Sequence, residues 1–195
     1  MSLRARLGIV LALGVVQTLL YFRLNHHPPR PSHLLPLTAL DRAIPFWPGS
    51  VWAYFALLAC ELVLPPLVRT RELFLRLVVA YVLAMSVAFA TYALYPTHYP
   101  RPEQSNPSWA WRILLAQDTP ECCLPSGHIL VPLIAALALS RERRSVWPLV
   151  LVGLLTPSVI TTRQHYVWDV LAAVVLAALA WIASGVRTPR ARGRA

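Results

Sequence analysis

Long apolar runs separated by short polar stretches set the pattern of this chain: Leu7–Tyr21, Val51–Val68, Leu73–Leu94, Ile129–Leu139, Trp147–Thr161 and Tyr166–Val186. A helix that crosses a bilayer needs ~20 predominantly apolar residues. The runs predict an all-α bundle of six membrane-spanning helices, a single domain over residues 1–195. The first, fourth and fifth runs are short for a span, and the fourth can begin earlier, near Ser126, if its mouth lies in the interface. Pro28, Pro29, Pro31, Pro45, Pro48, Pro96, Pro100, Pro102 and Pro107 mark the connections. Pro65, Pro66 and Pro157 are expected to kink or end the runs they fall in.

Composition agrees with that pattern. The chain is 57% hydrophobic and 13% charged, against about 45–50% and about 25% for a soluble domain. A disordered chain and a disulfide scaffold are excluded, and a soluble enzyme fits poorly. The net charge of +10 comes from 18 arginines and no lysine. These do not gather into a face that would bind nucleic acid; they sit between and beyond the apolar runs. With the N-terminus inside, inner segments carry 12 arginines and outer segments 6, which predicts cytoplasmic termini and a basic cytoplasmic tail over 187–195. The all-arginine usage points to a bacterial inner (plasma) membrane. The first run has the basic start of a signal peptide (Arg4, Arg6) but no small-residue cleavage site, so an uncleaved anchor is expected. Cys60, Cys122 and Cys123 form neither a disulfide framework nor a CxxC pair.

On this topology two outer segments hold the unusual polar residues. One runs from Pro96 to His128 and ends in Pro125-Ser126-Gly127-His128. Proline, serine and glycine before an apolar run signal a helix start. Ser126 can cap that helix, and its free N–H groups would attract phosphate, with His128 beside the anion. The other segment is Thr161–Asp169. His165 and Asp169 are four apart, so on a helix they share one face. A carboxylate there fixes the imidazole tautomer and leaves the second ring nitrogen free to attack. Arg101 and Arg163 lie on the same side of the membrane, and guanidinium forks bind phosphate oxygens bidentately. The set amounts to a metal-free phosphoryl-transfer site with no cofactor. A metal centre built from Cys122, Cys123, His128, His165 and Asp169 fits poorly, because adjacent cysteines do not readily reach one ion and the arginines repel it.

These motifs resemble those of the type 2 phosphatidic acid phosphatase superfamily of membrane lipid phosphatases and phosphotransferases. Pro125-Ser126-Gly127-His128 is similar to its second motif, His165 and Asp169 to the His-x3-Asp of its third, and Arg101-Pro102 to the end of its first. Leu94 stands where the first motif usually opens with lysine, and Val159 where the third usually has arginine. Thr162-Arg163-Gln164-His165-Tyr166 with Asp169-Val170 is closer to the inositol-phosphorylceramide synthase and sphingomyelin synthase branch, as are Tyr95-Pro96-Thr97 and the segment from Pro36 through Asp41 to Trp52.

The resemblance implies that His165 attacks phosphorus to form a phosphohistidine, that Asp169 orients His165, and that His128 gives the leaving oxygen its proton. It implies that Arg101, Arg163, Ser126 and Gly127 hold the phosphate. The expected substrate is a lipid phosphate ester such as phosphatidate or an isoprenyl diphosphate; a phosphosphingolipid also fits the branch. The compact outer loops favour hydrolysis. A phosphotransferase with the same triad is the alternative. A non-enzymatic transporter or scaffold is the second, supported by Glu61, an acid inside the second run.

Overall fold

The computed structural model describes residues 1–102 and 108–185. The last residue of the sixth expected span, Val186, and the basic tail 187–195 lie outside the described residues. Of the described residues, 72% are helix and 2% strand. Its elements are α1 (Leu3–His26), β1 (His33–Leu34), α2 (Ala39–Ala43), a 3-10 turn Pro48–Ser50, α3 (Val51–Leu67), α4 (Arg71–Leu94), β2 (Thr97–His98), α5 (Trp109–Gln117), α6 (Gly127–Arg143), α7 (Trp147–Leu155), α8 (Pro157–Thr161) and α9 (Val167–Ala183). The all-α expectation holds. Among the described residues, three helical stretches are long and apolar enough to cross a membrane: Leu3–His26, Pro48–Leu67 and Arg71–Leu94. Trp147–Thr161 and Val167–Ala183 are apolar but shorter.

Each apolar run becomes helix, with boundaries moved by local chemistry. Ser2 caps α1 through the Ala5 N–H, which starts the helix before the expected Leu7. The fifth run splits at Thr156–Pro157, because proline has no N–H to continue the α7 ladder. Pro65 and Pro66 lie in the last turn of α3, which ends one residue past them at Leu67. The helix α5 and the parallel pairing of β1 with β2 (His33 with Thr97, Leu34 with His98) lie in segments expected to be loops.

The centre of the bundle is α6, packed by α3, α4, α7 and α9. Small residues let these backbones approach: Ala80, Ala84 and Ala88 of α4, Ala135 and Ala138 of α6, and Ala173 and Ala177 of α9 are all buried. One end of the bundle is arginine-rich. There Glu142 accepts from the Arg69 and Thr70 N–H groups at 2.8 and 2.9 Å, and the Arg6 guanidinium donates to the Val68 carbonyl at 2.6 Å. The opposite end carries the histidines. It is tied together by Trp47 N–H to the Thr161 carbonyl, Cys123 N–H to the Thr97 carbonyl, and Ser126 N–H to the Asp169 carbonyl.

Candidate active site

His165 leaves α8 through a turn that its own residues hold. The Gln164 and His165 N–H groups both donate to the Val159 carbonyl, at 3.1 and 2.9 Å. Arg163 takes the left-handed conformation, φ 55°, which costs a side-chain-bearing residue ~1 kcal/mol. Its guanidinium offsets this by donating to the Asp41 and Ile44 carbonyls, both at 2.7 Å. His165 does not share a helix face with Asp169 as the spacing predicts: the turn sets it two residues ahead of α9 and brings it against Asp169 in the first turn of that helix. His165 Nδ1 lies 3.3 Å from Asp169 Oδ2, and the same oxygen accepts the Tyr166 N–H at 2.9 Å. The Asp41 carboxylate accepts the Val167 N–H at 2.8 Å, so two buried carboxylates serve the first turn of α9.

His128 stands in the first turn of α6. Its ring centroid is 5.6 Å from that of His165, at 62° between planes. Its Nδ1 lies 3.1 Å from Glu61 Oε1 on α3. The other Glu61 oxygen accepts from Gln17 of α1 at 3.2 Å, and Gln17 Oε1 accepts the Tyr81 hydroxyl of α4 at 2.7 Å. Four helices thus converge on His128. Each histidine has a carboxylate on one ring nitrogen, which leaves the other for chemistry. His165 is buried, and burial pushes its pKa down to about 3, with neighbouring His128 as the next cause. At neutral pH its imidazole is neutral and nucleophilic.

Both histidines and Gly127 line a cavity of 520 Å³. A Cβ on Gly127 would meet only the Tyr92 hydroxyl, at 3.6 Å, so the wall at Gly127 is open. Ser126 departs from expectation. It makes no side-chain cap and its N–H is taken by the Asp169 carbonyl, so it joins α6 to α9 behind the cavity. Arg163 also departs: its guanidinium is engaged by the two carbonyls and faces a separate hollow of 420 Å³ beside Arg42 and Tyr166. Arg101 lines that second hollow, and its partner Asp118 lines the histidine cavity. Arg101 donates to the Asp118 carboxylate and carbonyl, both at 2.8 Å, and the same carboxylate accepts the Tyr21 hydroxyl.

Glu61 and Asp118 are the site residues that motif reading missed. An acid inside an apolar run is the signal that marks Glu61; nothing local marks Asp118. Cys122 and Cys123 are buried free thiols. Burial, then Asp118, pushes the Cys122 thiol up to about 12. Among the described residues no three His, Cys, Asp or Glu side chains are placed to share a metal ion. Compared with models of known protein families, with curated proteins and with solved structures, the chain matches none.

Proposed function

We propose that this protein is an integral membrane lipid phosphatase of six spans, with cytoplasmic termini and its histidines at the outer face of a bacterial inner membrane. One observation carries the reading: two histidines, each held by its own carboxylate, face one cavity with ring centroids 5.6 Å apart. That arrangement suits a two-step displacement at phosphorus. The resemblance of Pro125–His128 and His165–Asp169 to the phosphatase motifs supports it.

In the first step the free Nε2 of neutral His165 attacks phosphorus and the bond to the lipid oxygen breaks. His128 gives its Nε2 proton to that oxygen, and the lipid alcohol leaves. Asp169 accepts the Nδ1 proton of His165 in a hydrogen bond and stabilises the positive charge that grows on the ring. In the second step His128 takes a proton from water. The oxygen attacks phosphorus, the P–N bond breaks and inorganic phosphate is released. Gly127 leaves the phosphoryl group room at the helix mouth, and Arg101 exchanges Asp118 for phosphoryl oxygens. Glu61 positions His128 as Asp169 positions His165. In this reading Arg163 and Ser126 shape the site and do not touch phosphate.

The transferase reading has one observation in its favour: the hollow of 420 Å³ lined by Arg101 and Arg163 offers an acceptor headgroup a place. Product analysis separates the two. Purified protein in excess chelator is given phosphate-labelled phosphatidate or isoprenyl diphosphate, with His165→Ala as control. Label in inorganic phosphate, absent with the variant, is the expected result. Label that moves only when an alcohol acceptor is added would establish the transferase, and release that persists in both His165→Ala and His128→Ala would return the protein to a non-enzymatic role.

A further inference from the structure

The larger cavity does not end at the histidines. It continues along α1 from Tyr21 past Gln17 and Gly14 to Val10, between α1 and the Leu58 and Leu77 side chains of α3 and α4. Its polar end holds the histidine pair with Glu61 and Asp118, Gln17 and Tyr81 are hydrogen-bonded to one another along the wall, and the rest of its lining is mostly apolar. Its 520 Å³ falls within the roughly 300–1,000 Å³ that holds a small ligand. From Tyr21 to Val10 the α1 wall runs about 16 Å at ~1.5 Å rise per residue. That is close to the depth of one leaflet of hydrocarbon core, roughly 15 Å.

The hollow has a structural cause. Gln17, Tyr21 and Asn25 are spaced four apart on one stripe of α1 and tie it to Glu61, Asp118 and the Glu121 carbonyl. Arg6 ties its other end to the Val68 carbonyl. Between these ties the apolar face of α1 borders open space, and only 6% of its apolar window is buried. A Cβ on Gly14 would meet only Leu62, at 3.8 Å. Leu11 and Val15, both exposed, form the rim, so the chamber opens sideways through the α1 seam. Empty apolar space deprives its walls of dispersion partners, and a hydrocarbon chain restores them.

We infer that this chamber takes one hydrocarbon chain of the substrate: the protein recognises a lipid phosphate ester by a single chain threaded along α1, with Gly14 and Val10 setting the accepted length. The phosphate end of this inference rests on the phosphatase reading; the chain end rests on the chamber alone. A second chain, where the lipid has one, stays in the bilayer.

The test uses the full chain in lipid nanodiscs with hexadecyl and octyl phosphates, each bearing a diazirine at the chain terminus. Photolabelling and phosphate release are read separately. Hexadecyl label is expected on Val10, Leu13 or Leu62. Gly14→Phe is expected to cut that labelling about tenfold and to lower the hexadecyl-to-octyl ratio of kcat/KM by about tenfold. Gly14→Leu gives a milder block if the phenylalanine variant does not fold, and labelling of the unaltered protein needs no variant. Hexadecyl label confined to the bilayer-facing Val16 and Leu20 would overturn the chamber even if phosphate is released. Deep labelling without release from either lipid would keep the chamber and overturn the phosphatase reading.

Discussion

The two histidine–carboxylate pairs have the same chemistry in different settings. His165, in the turn before α9, meets Asp169 in the first turn of that helix, and their side chains are 6% and 0% exposed. His128 and Glu61 meet across 67 residues of chain, from α6 to α3, and are 19% and 14% exposed to the cavity. A nucleophile benefits from one fixed tautomer in a dry place, whereas a proton donor that later activates water must reach both the leaving oxygen and solvent. The difference in setting therefore matches the difference in proposed role, and it can be broken by substitution.

The largest expected effect is on His165→Ala, a loss of about 1,000-fold or more in kcat with no trapped phosphoenzyme. Single-turnover labelling checks it, and a trapped phosphohistidine in the variant would move the nucleophile elsewhere. Next is the contrast between the carboxylates. Asp169→Asn should lower kcat by about 1,000-fold or more, by analogy with removal of the orienting carboxylate of a catalytic triad. Glu61→Gln, which keeps a hydrogen-bond acceptor next to a more accessible ring, should cost about 10–100-fold. Equal losses would erase the distinction between the pairs.

A smaller effect sharpens the role of Arg101. Asp118→Asn removes the charge that holds its guanidinium, so KM for the lipid phosphate should fall by about threefold; a rise in KM would show that Asp118 positions Arg101 for phosphate. The smallest effect concerns pH. The His165 pKa is about 3 in the folded chain against 6.5 ordinarily. Between those values the unfolded chain binds a proton that the folded chain refuses. The contribution is complete above pH 6.5 and is lost as pH falls toward 3. In detergent, Tm should drop less steeply from pH 7 to pH 5 for His165→Asn than for the unaltered protein, and parallel curves would place the acid sensitivity on another group.

Local spacing made much of this legible. The apolar runs appear as helices because their length and composition leave few alternatives, and the i,i+4 relation of His165 and Asp169 survives folding because it lies within the turn entering α9. The roles of Arg163 and Ser126 were not legible. Both stand beside motif histidines in sequence, yet the left-handed turn aims the Arg163 guanidinium at the Asp41 and Ile44 carbonyls, and the Asp169 carbonyl takes the Ser126 N–H.

The helical character of the chain, the arginine-rich and histidine-bearing segments, and the local pair at the entry to α9 follow from the residue pattern alone, because helix periodicity and composition act over a few residues. That Glu61 meets His128, that Asp118 holds Arg101, and that α1 stands off the bundle over a chamber could be seen only in the folded chain. These depend on how helices distant in the chain cross, and the small residues and buried polar ties that set those crossings act only once the helices have come together.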